Sequence, residues 1–384
     1  MRFTVKTGAP LLAMALALTA CGTSGGDDDQ ASGGGGEAGT CEDVAIGYFG
    51  ALTGAAANLG INIRNGVQLA VDQFNDENAD CQVALEEYDS AGDPNQATGL
   101  ATQAIGDDNV IGIVGPAFSG ESDTAGPIFA EGGLPTITAS ATNPSLADNG
   151  WDTFHRILGN DASQGPAAAS YISDVLGSSS VFVVDDASAY GAGLADIVTE
   201  SLGDAVVGTD TIQTGQTDFS ATVTAIRDSG ADTVFFGGYY AEAGLLAQQM
   251  RAAGVDATFV VPDGVKDPGY IEAAGGAAEG TIITCPCLPP EESQDFFQAY
   301  QDAFGSAPAT YSAEAYDAAN VMLEGIIEGN TDRESLLEWI DDYDGEGITK
   351  SITFDDKGEV ENIAVWAYKV ENGEIVADQE IETD

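Results

Sequence analysis

From Val44 onward, short runs of β-branched and aromatic residues alternate with stretches of helical periodicity, at intervals of roughly 20 to 30 residues, as in strand-helix-strand units. The strand candidates are Val44 to Gly50, Gln82 to Tyr88, Val110 to Gly115, Pro135 to Ala139, Ser180 to Asp185, Thr233 to Gly237, Thr258 to Val261 and Thr281 to Thr284. The clearest helix, Leu59 to Asn75, carries Ile63, Val67, Ala70, Val71 and Phe74 on one face, the stripe of a helix laid on a core. Val181-Phe182-Val183-Val184 is apolar on both faces, which requires helices on both sides of a parallel sheet. The pattern predicts an α/β, doubly wound architecture. There are more units than one such sheet usually holds, so two similar parallel-sheet lobes are expected side by side.

Ligands of such sheets bind beyond the carboxyl ends of the strands, so chemistry is sought in the loops that follow them. Those loops offer hydroxyls, aromatics and one acid. Ser119 lies at the start of a helical segment, where a side-chain oxygen and free amides face a carboxylate. Ser140, Ala141 and Thr142 follow the next strand and supply hydroxyls and open carbonyls. Tyr190, Tyr239 and Asp263 follow three later strands. Each also has an ordinary structural explanation: a cap, a turn residue, the edge of a core.

Composition narrows the function. The chain of 384 residues carries 63 acidic against 11 basic side chains, a formal charge of -52. The basic residues are scattered, so no nucleic acid is expected as a partner, because phosphate binding needs them clustered. His155 is the one histidine, which leaves no residues for a histidine-based metal site. It sits in Phe154-His155-Arg156-Ile157, an apparent strand, and an exported hydrolase would have to use it as its base. No P-loop or complete dinucleotide fingerprint occurs, and no cofactor or metal is expected. The single G-x-S-x-G match, Gly22 to Gly26, falls in a glycine-rich stretch instead of a strand-to-helix elbow.

The amino terminus reads as an export signal. Arg2 and Lys6 precede an apolar run from Ala9 to Leu18, too short to span a bilayer. The run ends in Leu18-Thr19-Ala20-Cys21, which resembles the lipobox of bacterial lipoproteins; that resemblance implies a lipidated Cys21 anchoring the chain to the outer face of the cell membrane. Residues 22–40 hold no large apolar side chain and are expected to be a tether reaching roughly 24 Å on average. Cleavage removes two cations and no acid, so the processed chain is still more acidic. Its self-repulsion is relieved by salt, which points to a saline habitat.

Four further cysteines suit an oxidising compartment. Cys41 and Cys81 each precede a strand candidate, and adjacent parallel strands would bring them together, so this pair is expected to bond. Cys285 and Cys287 flank Pro286, a tight ring if bonded; a redox or metal role is the alternative, although two thiols make only half a tetrahedral zinc site.

Taken in order, these segments resemble the branched-chain amino-acid binding proteins of ABC importers, on the type I periplasmic binding fold. The likeness runs from Val44 to Glu380 and is carried by Val114-Gly115, Ile137 to Thr142, Tyr190 to Leu194, Gly237-Gly238-Tyr239 and Phe354 to Gly358. It implies a three-segment hinge, with crossings near Asn160, Thr284 and Asn362. The implied division is a signal peptide over 1–20, the lipidated cysteine and tether over 21–41, lobe 1 over 42–160 and 285–361, and lobe 2 over 161–284 and 362–384. It also implies that Ser119 and Thr142 hold a ligand carboxylate, that the Ser140 carbonyl, Thr142 and Asp263 hold its ammonium, and that Tyr190 and Tyr239 close over it. Leu59, Ala117, Phe118 and Tyr311 would complete a side-chain pocket suited to leucine, isoleucine or valine, with small amides or urea as the alternative. The partner would be an ABC permease in the membrane, and the receptor a monomer that performs no chemistry.

Overall fold

The computed structural model describes Cys41 and residues 43–289, 293–361 and 363–381. The expected signal segment, Cys21, the tether and the crossing at Asn362 lie outside the described residues. The first sheet has the order β2-β1-β3-β4-β5, from β1 (Val44–Gly50), β2 (Val83–Asp89), β3 (Val110–Val114), β4 (Thr136–Thr138) and β5 (Phe154–Arg156), all parallel. Every residue of β1 is buried, and its side chains divide between two cores. Ile46 and Tyr48 meet Ile63 and Val67 of α1 (Ala57–Glu77), Met322 of α10 (Ser312–Ile327) and Leu336 of α11 (Arg333–Asp341). Ala45 and Phe49 face the other way, onto α2 (Pro94–Ile105) and α3 (Ser119–Glu131). The unbroken apolar strand is thus the consequence of helices on both faces.

The second sheet repeats the plan and then departs from it. Its order is β14-β13-β10-β9-β8-β6-β7, built from β6 (Val181–Asp185), β7 (Val206–Thr211), β8 (Thr233–Gly237), β9 (Thr258–Val261), β10 (Ile282–Cys285), β13 (Val365–Glu371) and β14 (Glu374–Ile381). Val181 and Val183 pack under α4 (Asp161–Ser170) and α5 (Ala189–Leu202), while Phe182 and Val184 face α6 (Ser220–Ser229), α7 (Tyr240–Ala252) and α8 (Pro268–Ala274). The expected parallel-sheet lobe is present, with an added antiparallel edge in which β13 runs antiparallel to both β10 and β14. These last strands form a hairpin whose outer strand is charged and largely exposed, the usual protection of a sheet edge. A separate hairpin joins β11 (Asp344–Glu346) and β12 (Ser351–Thr353).

Cys41 and Cys81 are bonded, at the starts of the paired strands β1 and β2, where Val44 stands opposite Val83. Cys285 and Cys287 are bonded to each other around Pro286, and both are buried. Among the described residues, no group of three or more His, Cys, Asp or Glu side chains is arranged to hold a metal ion, and no helix is long and apolar enough to cross a membrane.

Candidate functional site

The carboxyl ends of both sheets face one another, and between them lies a small cavity. Leu59, Phe118, Ser119 and Ser140 line it from the first lobe with Ile63, Ala117 and Tyr311, and Tyr190, Tyr239, Asp263 and Gly264 line it from the second. The lobes touch around it. Phe118 meets Tyr239 edge-on with ring centroids 5.4 Å apart, Asn143 Nδ2 donates to the Ala189 carbonyl at 2.7 Å, and Asn58 Nδ2 donates to Asp267 Oδ1 at 3.1 Å.

Local backbone geometry places each group. Phe118, not Ser119, occupies the capping position of α3, and no side chain caps that end. Ser119 is the first helical residue, which leaves its hydroxyl at an amino end with uncompensated amides; its Oγ accepts from the Asn143 N–H at 3.3 Å. Ser140 donates its hydroxyl to the Ala117 carbonyl at 2.6 Å. Ala141 and Thr142 lie behind this wall. The Ala141 carbonyl accepts from Arg156 at 2.8 Å, and the buried Thr142 hydroxyl completes no hydrogen bond, although it lies beside Asp161 closely enough to favour that carboxylate's charged form.

In the second lobe, α5 begins hard against the end of β8. A Cβ on Gly191 would stand 2.5 Å from the Gly237 carbonyl oxygen, so only glycine permits the approach. Tyr190 and Tyr239 are thereby brought together, ring centroids 5.2 Å apart. Tyr311 reaches the cavity from a backbone at φ 67°, a left-handed conformation that a bulky side chain adopts at a cost of about 1–3 kcal/mol.

The electrostatics are unusual for so anionic a chain. Asp263 is fully buried, its carboxylate accepts from Tyr190 at 2.6 Å, and burial pushes its pKa upward. The Tyr311 hydroxyl lies near the same carboxylate without completing a hydrogen bond. Asp161, at the start of α4, is fully buried with neither oxygen hydrogen-bonded; burial, with the charge of Asp263 next, pushes it up to about 8. Glu121 lies beneath the first turn of α3, where its Oε1 accepts from the Ser90 hydroxyl; burial pushes it up to about 8. Arg156, whose charge bears on Asp161, donates to the carbonyls of Ala141 and Asn143 and pairs with Glu359.

Asp161, Gln164 and Glu121 were not singled out by the sequence. The available signal was Asn160-Asp161 directly after the apparent strand at His155, where Asn160 caps α4 by accepting from the Ala162 N–H at 2.9 Å. His155 itself faces away from this chemistry: its Nε2 pairs with Asp341 at 2.9 Å and its ring abuts Phe354. A second small cavity lies behind Tyr311 and is lined by Cys287, Phe296, Thr310 and Glu314 among others, away from the strand ends.

Residues 43–374 match the family of periplasmic binding proteins. The Leu/Ile/Val-binding protein BraC3 of Rhizobium johnstonii is 34% identical over 87% of this chain and 94% of its own length. The leucine-, isoleucine-, valine-, threonine- and alanine-binding protein of Pseudomonas aeruginosa is 31% identical over 85% and 90%. Among solved structures, the branched-chain amino acid transporter substrate binding protein LivJ of Streptococcus pneumoniae, in complex with isoleucine, superposes with a TM-score of 0.82 at 26% identity, covering 87% of this chain and 98% of that one. With two facing α/β lobes, a crevice at their strand ends and a family match across most of its length, this extracytoplasmic chain belongs to the periplasmic binding proteins of the type I fold.

Proposed function

We propose that the protein is the solute receptor of an ABC importer, that it closes its two lobes on a zwitterionic amino acid of the leucine, isoleucine or valine type, and that it presents the closed form to the permease without chemistry of its own. The names of its relatives support this ligand class. The observation that carries it is the polarity of the cavity: serine hydroxyls and the uncapped amino end of α3 on one wall, a buried aspartate on the other. A helix amino end binds a carboxylate without arginine, and Asp263 supplies the counter-charge for an ammonium. Leu59, Ile63, Ala117 and Phe118 offer the apolar side-chain pocket, and contacts from both lobes are what allow a ligand to shift the open-closed equilibrium. An amide or urea ligand, with no ammonium, leaves the buried acids without a counter-charge, which disfavours that alternative.

In the same reading Cys21 carries the lipid anchor, crossings near Asn160, Thr284 and Asn362 form the hinge, and the receptor works as a monomer. A thermal-shift panel of all amino acids, small amides and urea tests the ligand class, because a ligand of the folded form raises the melting point by mass action. Stabilisation by branched-chain amino acids is expected; stabilisation by urea or amides alone overturns it. Retention of a Cys21→Ser variant in the membrane fraction would remove the anchor.

A further inference from the structure

The loop after β9 has the buried acid of the cavity at one end and the first lobe at the other. Asp263 opens it and lines the cavity. Asp267 closes it, capping α8 by accepting from the Gly269 N–H at 2.7 Å. Every residue from Asp263 to Asp267 is buried, and the backbone between them is bound to itself. The Val265 N–H donates to the Pro262 carbonyl at 2.9 Å, the Lys266 N–H to the Asp263 carbonyl at 2.9 Å, and the Asp267 N–H to the Val265 carbonyl at 2.7 Å. These are hydrogen bonds of ordinary length, so the segment is a closed series of turns that moves as one piece.

At its far end the segment meets the first lobe twice. The Asp267 Oδ1 that caps α8 also accepts from Asn58 Nδ2 at 3.1 Å, and the Lys266 carbonyl accepts from the Thr310 hydroxyl. Asn58 stands in the first turn of α1, an end with no side-chain cap and no acid of its own, and Asp267 brings an acceptor to it from across the crevice. Thr310 is buried and directly precedes Tyr311, which lines the cavity. Parting of the lobes breaks both contacts.

We propose that residues 263–267 couple ligand capture to lobe closure, with Asn58 and Thr310 as the positioning residues that receive the segment on the first lobe. This deepens the receptor reading above and rests on it. An ammonium held at Asp263 fixes the head of the segment. The segment in turn sets the Lys266 carbonyl and the Asp267 carboxyl where Thr310 and Asn58 reach them in the closed form alone. A ligand shifts an open-closed equilibrium only through contacts that differ between the two states, and these two differ.

The test is calorimetric titration of the full receptor with L-leucine, together with the dissociation rate of radiolabelled L-leucine by rapid filtration. Asn58→Ala should raise Kd roughly 3- to 12-fold, the worth of one neutral hydrogen bond, and should do so through faster dissociation. The melting temperature of the unligated protein should stay where it is, because Asn58 is exposed and alanine is well tolerated in a helix. Thr310→Val, which keeps the shape and loses the donor, should move the dissociation rate in the same direction, and it carries the test should Asn58→Ala not fold. In an Asp263→Ala background the ligand no longer holds the head of the segment, so adding Asn58→Ala should cost under about 2-fold. Unchanged dissociation in both single variants overturns the proposal. So does a penalty for Asn58→Ala as large in the Asp263→Ala background as in the wild type, or a fall in the unligated melting temperature with no change in dissociation, and each of these leaves leucine binding to the wild-type protein intact. Failure of the underlying reading is different in kind: the wild-type protein then binds no branched-chain amino acid.

Discussion

The phenol of Tyr190 donates to Asp263 Oδ1 at 2.6 Å, and the same phenol oxygen accepts from the Gly264 N–H at 3.2 Å. One side chain therefore fixes both the acid and the backbone beside it, before any ligand arrives. A carboxylate oriented in this way meets an ammonium with a charge-assisted hydrogen bond of about 1.5–3 kcal/mol. Asp263→Ala is accordingly expected to weaken amino-acid binding roughly 10- to 150-fold in calorimetry. Tyr190→Phe, which keeps the ring and loses the tether, should weaken it by a smaller factor. An unchanged Kd for Asp263→Ala removes that residue from the site.

Closure is tied by contacts remote from the cavity centre. Asn143 Nδ2 donates to the Ala189 carbonyl across the lobes at 2.7 Å. It contributes to the closed form alone, so its loss favours opening without harming either lobe. A neutral hydrogen bond is worth about 0.5–1.5 kcal/mol, and Asn143→Ala should raise Kd by roughly 2- to 12-fold. The melting temperature of the unligated protein should hardly move in differential scanning calorimetry. A large drop would show that Asn143, whose side chain also caps the turn at Ser145, acts on folding instead.

Arg156 ties the loop after β4 to the rest of its lobe. Its guanidinium is fully buried, and it donates to Ala141 at 2.8 Å and Asn143 at 2.9 Å while pairing with Glu359. Removing one member of a buried pair leaves the other uncompensated, at about 3–5 kcal/mol. Arg156→Met should therefore be strongly destabilising in chemical denaturation. Arg156→Met combined with Glu359→Gln should recover part of the loss, and a double variant as unstable as the sum of both singles would sink this account.

Legibility from sequence followed burial. β1 and β6 were plain because both faces are buried and every position had to be apolar. β7 and β14 were missed: both are edge strands whose residues alternate or run charged, so the pattern of VVGTDT or EIVADQEI resembles a loop. Ser119, Ser140, Tyr190, Tyr239 and Asp263 line the crevice, a placement legible from their positions after strands, where the topology itself aims side chains into it. Asp161 and Glu121 were not legible, because nothing in a composition with 63 acids distinguishes a buried carboxyl from a solvated one. Only the tertiary structure, which surrounds them with apolar and uncharged groups, separates the two.

The same buried acids set how stability should vary with pH. In the unligated protein Glu121 and Asp161 are pushed up to about 8 and Asp186 to about 6, in each case chiefly by burial. An unfolded carboxyl titrates near 4, so between about pH 4 and 8 the folded state holds protons that the unfolded state has lost. Stability must then fall as pH rises through that window, by up to about 1.4 kcal/mol per pH unit for each proton held. Acids held low by backbone amides, such as Asp89 and Asp332, act in the opposite sense, but only below about pH 4. Net charge pushes the same way as the buried acids and has to be screened out. Arg333 donates to the carbonyls of Ala104, Ile105, Asp107, Val110 and Gly132, and Arg251 to those of Val255 and Ala257, so their guanidinium groups are held at backbone carbonyls. Added salt should thus raise the melting temperature at every pH. In molar salt, a melting temperature that is still higher at pH 5 than at pH 8 is expected, and Glu121→Gln should reduce the difference. A flat or rising profile in molar salt would mean that these carboxyls are ionised where they lie.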